Sequence, residues 1–265
     1  MDSLHIFILA IVQGFTEFLP ISSSAHLVLL PVLFGWADQG LVFDVAVHFG
    51  SLIAVLFYFR TEVWRMCRSW SHTLVGGPRT EDSLLAWWVI VGTLPVVTVG
   101  FLFQSDIEHS LRAPWILATA SILFGLLLWV ADRSGTRERD EYGLKLKDVL
   151  VIGCAQALAL IPGTSRSGIT ITLALFLGLS RRAAARFSFL LSMPVIFASG
   201  VLQSLQMVAD VKPISWGELM LGVALSALAA GLCIHYFLRL VERIGMLPFV
   251  IYRVVLGLLI LLLIY

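Results

Sequence analysis

The sequence predicts an all-α polytopic membrane protein: six transmembrane helices plus two re-entrant helical hairpins in an inverted-topology repeat. Three observations predict it. The 265 residues are 59% hydrophobic and only 13% charged, with a mean hydropathy of +0.94, whereas soluble domains carry about 25% charged residues. Eight apolar regions punctuate the chain, six of them long enough to cross a bilayer core, which takes about 20 helical residues. The Lys and Arg residues crowd into four of the connecting segments. A net charge of +1 gives no reason to expect a nucleic-acid partner.

The elements follow in order. Only Asp2 and His5 precede the first apolar run, so the N-terminus lacks the basic start of a signal peptide and is expected to be kept. Residues 5–36 hold a half-length apolar run, a break at PISSSAH and a second half-length run. Each half is too short to span alone, so the region reads as a hairpin that enters and leaves on one side. Spans are expected at 43–60, 84–104 and 114–131. Residues 149–179 repeat the broken pattern, with PGTSRSG at the break. Spans at 187–209, 217–238 and 247–265 complete the chain. Pro95 and Pro194 fall inside two spans and are candidate kinks. Cys67, Cys154 and Cys233 are far apart and read as small apolar fillers.

Charge fixes the expected orientation. Segment 60–84 holds Arg60, Arg65, Arg68 and Arg79, and segment 132–148 holds Arg133, Arg137, Arg139, Lys145 and Lys147. Arg181, Arg182 and Arg186 lie in 180–186, and Arg239 and Arg243 in 239–246, while the other connections hold only Arg112 and Lys212. Basic loops stay cytoplasmic. All four basic segments share one side only if both broken regions are re-entrant. Both termini then lie outside. Residues 1–134 and 135–265 become two halves of opposite orientation within one membrane domain, a design that puts a site near the midplane where broken helices meet.

The polar residues in the two breaks are the candidate site. Gln13 and Glu17, at i and i+4, share a helix face. Ser22, Ser23 and His26 follow Pro20, with a second half-helix expected near Ser24. In the other break Ser165, Arg166 and Ser167 stand between Gly163 and Gly168, glycines that let backbone approach a ligand. A charged side chain at mid-bilayer costs about 2.5–3.5 kcal/mol, so Glu17 and Arg166 are expected together or around a charged ligand. Arginine presents a planar fork for phosphate, helix N-termini favour anions, and His26 can move a proton. The set suits a phosphate or pyrophosphate held with an oxygen-ligated divalent metal, Mg²⁺ or Ca²⁺. The competing reading is a structural Glu17–Arg166 ion pair tying the halves together. Asp44 and His48 read equally as site support or as interfacial residues, and Ser188 and Ser192 as helix-packing residues. Arg253, inside the last span beside Tyr252, reads as snorkelling or paired with a carboxylate and is given no catalytic role. Trp87 and Trp88 read as belt or packing aromatics.

At these residues the sequence resembles the bacitracin-resistance family of undecaprenyl-pyrophosphate phosphatases. Residues 13–26, QGFTEFLPISSSAH, resemble the family's (E/Q)-x-x-x-E-x-x-P-x-S-S motif. Residues 162–168, PGTSRSG, resemble its P-G-x-S-R-S-x motif, and the likeness runs nearly end to end. The resemblance implies hydrolysis of undecaprenyl pyrophosphate to the monophosphate carrier of cell-wall synthesis. It also implies a divalent metal, an outward-facing site in the bacterial inner membrane and a tendency to form homodimers. By position it implies catalytic roles for Glu17, Ser23, His26 and Arg166, and metal ligation by Glu17 with Gln13. Ser22, Ser165, Ser167, Gly163 and Gly168 would bind substrate. Position 13 is Gln where many members carry Glu, so any mechanism needing two carboxylates from this helix is in doubt. Attack by Ser23 and attack by a metal-bound water both remain open. A transporter or flippase of a phosphorylated lipid or small anion is the alternative, since inverted repeats meeting at a midplane site also build transporters.

Overall fold

The computed structural model describes residues 3–103, 113–207 and 216–264, which fold as an all-α bundle. Helix α1 (Ser3–Phe18) ends two residues before Pro20, which cannot continue its hydrogen-bond ladder. After a short turn the chain restarts as α2 (Ser23–Phe34), which ends at Gly35 in the left-handed conformation (φ +65°). Then come α3 (Leu41–Tyr58), α4 (Arg60–Leu74), α5 (Glu81–Leu102) and α6 (Pro114–Ser134). The second half runs through α7 (Leu146–Gln156) and a 3-10 turn (Ala157–Leu160) into the PGTSRSG break. It continues as α8 (Arg166–Phe176), α9 (Arg181–Met207), α10 (Trp216–Ile244) and α11 (Leu247–Ile264).

Six of these helices, α3, α5, α6, α9, α10 and α11, are long and apolar enough to cross a membrane, so the protein is a polytopic membrane protein with the expected number of spans. Helices α1, α2 and α8 are apolar but shorter. At about 1.5 Å per residue, the 12 residues of α2 reach little more than half of a ~30 Å hydrocarbon core.

Three parts of the chain differ from the sequence reading: segment 60–84, the start of α9, and the end of α10, which runs to Ile244 past the expected 238. Segment 60–84, expected as a loop, contains α4, whose polar face kept it below any hydropathy threshold. The span expected from residue 187 begins at Arg181, because the helix carries its basic end past the apolar stretch. Pro95 and Pro194 lie within α5 and α9, which stay helical through both. Arg112 and Lys212 fall outside the described residues.

Small residues set the closest helix contacts. A Cβ on Gly14 of α1 would lie 2.5 Å from the Ser226 carbonyl of α10, and one on Gly153 of α7 would lie 2.7 Å from the Gly92 carbonyl of α5. Helix α10 also packs along α3, and α11 along α6. The main core joins Phe18, Val55, Leu128, Ile171, Leu175, Phe187, Phe189 and Phe237. It brings the C-terminal end of α1 beside α8 and α9, and so the first break beside the second.

Candidate active site

Each half-helix at a break starts from a strained serine. Ser22, before α2, has φ +71°, and Ser165, before α8, has φ +69°. Side chains avoid positive φ, a conformation that costs on the order of 1–3 kcal/mol and clusters at functional sites. In both turns the serine hydroxyl meets that of the residue two places on: Ser22 and Ser24 at 3.3 Å, Ser165 and Ser167 at 3.2 Å. Ser165 Oγ also accepts from the Gly168 N–H at 3.1 Å and so caps α8. Ser22 makes no side-chain cap, which leaves the first N–H groups of α2 without one of their usual acceptors.

The two breaks meet at Glu17, which is 9% exposed. Arg166 Nη2 donates to its Oε1 at 2.7 Å, from 149 positions away in the chain. Ser23 Oγ donates to Oε2 at 2.6 Å, and Gln13 Nε2 donates to the same oxygen at 2.9 Å. His48 Nε2 stands 3.6 Å from Oε2, and its Nδ1–H donates to the Asp44 carbonyl at 2.7 Å. The second fork nitrogen of Arg166 donates to the Ser188 carbonyl of α9 at 3.3 Å. Ser188 Oγ lies 2.7 Å from Thr170 Oγ1 of α8. Ser167 Oγ donates across the junction to the Leu19 carbonyl at 2.8 Å.

The structure therefore brings Gln13, Glu17, Ser23 and Arg166 into one hydrogen-bonded group, extends it to the Ser188 carbonyl and sets His48 beside it at ion-pair distance. His26 is engaged elsewhere. Its Nδ1 lies 2.7 Å from the Ser22 carbonyl, which can only accept, so Nδ1 carries the proton. In the neutral ring Nε2 then accepts from the Tyr252 hydroxyl at 2.5 Å. The two glycines serve close packing against protein. Gly163 turns at φ +91°, where a Cβ would lie 2.3 Å from the Leu117 carbonyl, and a Cβ on Gly168 would lie 2.6 Å from Arg253 Nη1.

Sequence reasoning left Tyr252 out of the site and gave Arg253 no part in it. The available signal for Arg253 was its position, a cation in the middle of an otherwise apolar helix. Tyr252 carried no signal, because a tyrosine on a membrane helix is ordinary.

For a divalent cation the donor set offers one carboxylate and one free carbonyl oxygen. Gln13 Oε1 is buried with no hydrogen-bond partner and neighbours Glu17 on α1. Among the described residues no group of three or more His, Cys, Asp or Glu converges. These residues fit an ion of the Mg²⁺ type, which takes one or two protein oxygens and completes its shell from phosphate and water.

Residues 6–259 match the family model described as bacitracin resistance protein BacA. The chain belongs to the BacA family. Over 260 residues it is 58% identical to undecaprenyl-diphosphatase 2 of Stutzerimonas stutzeri, covering 97% of this chain and 96% of the relative. It is 56% identical to the undecaprenyl-diphosphatase of Nitrosococcus oceani and 51% identical to undecaprenyl-diphosphatase 1 of Pseudoalteromonas translucida, in each case over 97% of both chains. Relatives that match end to end at this level share the whole architecture. The two breaks and their polar residues lie within the matched residues.

Proposed function

We propose that the chain is a membrane-embedded undecaprenyl-diphosphatase. It hydrolyses undecaprenyl diphosphate to undecaprenyl phosphate and inorganic phosphate, returning the lipid carrier to peptidoglycan synthesis and conferring bacitracin resistance. One observation carries the reading: an arginine, a carboxylate and a serine hydroxyl are hydrogen-bonded where two broken helices meet, in a BacA chain whose relatives are named for this activity.

The arrangement is an inverted repeat of residues 1–134 and 135–265, each opening with a re-entrant hairpin. Matched features of the two halves support it. Ser22 and Ser165 share one rare conformation. Gln13 and Gln156 are both fully buried, each with an unpartnered Oε1. Gly14 seats α1 on α10 as Gly153 seats α7 on α5. The clustered basic loops support a placement of both termini and the site on the periplasmic side of the inner membrane. The diphosphate then enters from the outer leaflet while the prenyl chain stays in lipid. A homodimer remains compatible with this orientation.

In the reaction Arg166 and the N–H groups at the starts of α2 and α8 hold the phosphate oxygens. The serines Ser22, Ser165 and Ser167 line the approach. Ser23 Oγ attacks the terminal phosphorus and its proton passes to Glu17 Oε2, already its hydrogen-bond acceptor. The bond from phosphorus to the bridging oxygen breaks, and undecaprenyl phosphate leaves with that oxygen. Water then hydrolyses the phosphoserine. His26, held by Tyr252 and the Ser22 carbonyl, orients α2, and Glu17 returns its proton to Ser23 Oγ as the phosphoserine is hydrolysed. Glu17 and Gln13 Oε1 would hold a divalent Mg²⁺ or Ca²⁺, which would supply charge neutralisation for the diphosphate. Fixed positive charge aimed at the departing oxygens is the largest expected contribution.

The test is phosphate release from undecaprenyl diphosphate by the purified protein in detergent, with Mg²⁺, with Ca²⁺ and with chelator. Release with metal, lost in chelator and in Ser23→Ala, is the predicted result. No release by folded protein with either metal overturns the proposal and directs attention to a flux assay in liposomes.

A further inference from the structure

Arg253 is the largest fully buried side chain among the described residues, at 0% exposure in the middle of α11. A lone cation in such a place is expected to reach the interface or to find a carboxylate. It does neither: no carboxylate among the described residues lies within ion-pair distance of it. All its hydrogen bonds to the described residues go to backbone carbonyls.

The identity of those carbonyls gives the meaning. Nη1 donates to Pro20 O at 3.3 Å, in the first break. Nη2 donates to Gly163 O at 2.9 Å and Thr164 O at 2.8 Å, both in the second break, and more weakly to Ala120 O at 3.5 Å. Nε donates to Ser121 O at 3.1 Å, and Ser121 Oγ donates back to the Arg253 carbonyl at 3.1 Å, anchoring the stem on α6. One guanidinium therefore spans both breaks. Its site is shaped for it: a Cβ on Gly125 would lie 3.1 Å from Arg253 Cβ, and one on Gly168 would lie 2.6 Å from Nη1.

In a trans peptide the C=O and the following N–H point in opposite directions. Holding the Pro20, Gly163 and Thr164 carbonyls toward Arg253 therefore fixes how these turns lead into the strained Ser22 and Ser165. Those two serines aim the first N–H groups of α2 and α8. Only a planar fork reaches acceptors on both breaks at once; an ammonium on a flexible stem does not.

We propose that Arg253 is a positioning residue for hydrolysis, locking the two breaks against each other so that their N–H groups and Arg166 meet the diphosphate in one geometry. The inference rests on the phosphatase reading. It predicts that charge alone is insufficient at position 253.

The experiment compares native protein with Arg253→Lys, Arg253→Met and Gly125→Ala, each purified in detergent and checked for a monodisperse, cooperatively melting fold. Two quantities are read: turnover of undecaprenyl diphosphate, and the inhibition constant of inorganic pyrophosphate, which does not depend on the fraction of active molecules. Arg253→Lys is expected to raise that constant about tenfold or more and to lower turnover, nearly as far as Arg253→Met does. Gly125→Ala, which crowds the stem from α6 without touching either break, is expected to move both in the same direction by a smaller factor. If either Arg253 variant folds and binds pyrophosphate within twofold of native, the proposal is overturned. If both fail to fold, Gly125→Ala decides: an unchanged inhibition constant overturns the proposal and a raised one supports it. An inactive native protein overturns the phosphatase reading and this inference with it, whereas an active native protein with unaltered variants overturns the inference alone.

Discussion

Glu17 holds three hydrogen-bond donors on two oxygens, and they come from both halves of the chain. Its surroundings follow from the cost of burying charge: a carboxylate away from water needs donors on every lone pair it can fill. Ser165 shows how finely the turn around it is set. Its side chain caps α8 while its backbone sits at φ +69°. Ser165→Ala loses the cap, worth about 1 kcal/mol, and keeps the strain. Ser165→Gly loses the same cap but relaxes the backbone. The glycine variant is therefore expected to melt at a higher temperature in detergent than the alanine variant, and the reverse order would show that the turn is unstrained. The residues around Glu17 were legible in the sequence because each is polar where its neighbours are apolar. Tyr252 was not legible, since its hydroxyl matters only once folding sets it 2.5 Å from a histidine 226 positions away.

At the scale of elements, the breaks were legible because proline and clustered serines interrupt apolar runs. Helix α4 was not, because it carries Arg60, Glu62, Arg65 and Arg68 and is held to the bundle by charge. Arg186 of α9 donates to both oxygens of Glu62 at 2.8 Å and to Glu141 Oε1. Burial holds the Glu62 carboxyl above the usual carboxylate range, with the guanidinium opposing that rise. Arg186→Met removes the opposing charge and lifts the carboxyl further. A carboxylate raised in the folded state loses stability as pH climbs from its unfolded value through its folded value. The variant is therefore expected to melt lower than native by roughly 5 °C at pH 8, and by clearly less at pH 5, nearer the carboxyl's raised range. An equal deficit at both values would mean that the triad contributes through packing alone. Helix ends were legible to within a few residues. The exceptions are α9 and α10, where a basic first turn and a basic last turn extend the helices beyond the apolar stretches that signal spans.

At the scale of the whole molecule, the six spans were visible because length and hydropathy suffice for them. The meeting of the two breaks was visible only as an inference from symmetry and loop charge. What the sequence could not display is that a single arginine from the last helix grips both breaks, because contacts to backbone carbonyls leave no trace in side-chain pattern. The central claim is that the two breaks, one from each half of the chain, make one reaction site through Glu17 and Arg166. Groups that act as a unit are grossly non-additive. The most direct measurement is a double-mutant cycle on kcat/KM for undecaprenyl diphosphate, using Glu17→Gln, Arg166→Gln and the pair. We expect each single change to lower kcat/KM by on the order of 10²–10⁴, and the double variant to be little worse than either. Losses that multiply in the double variant, or near-native kcat/KM in either folded single variant, would contradict the claim.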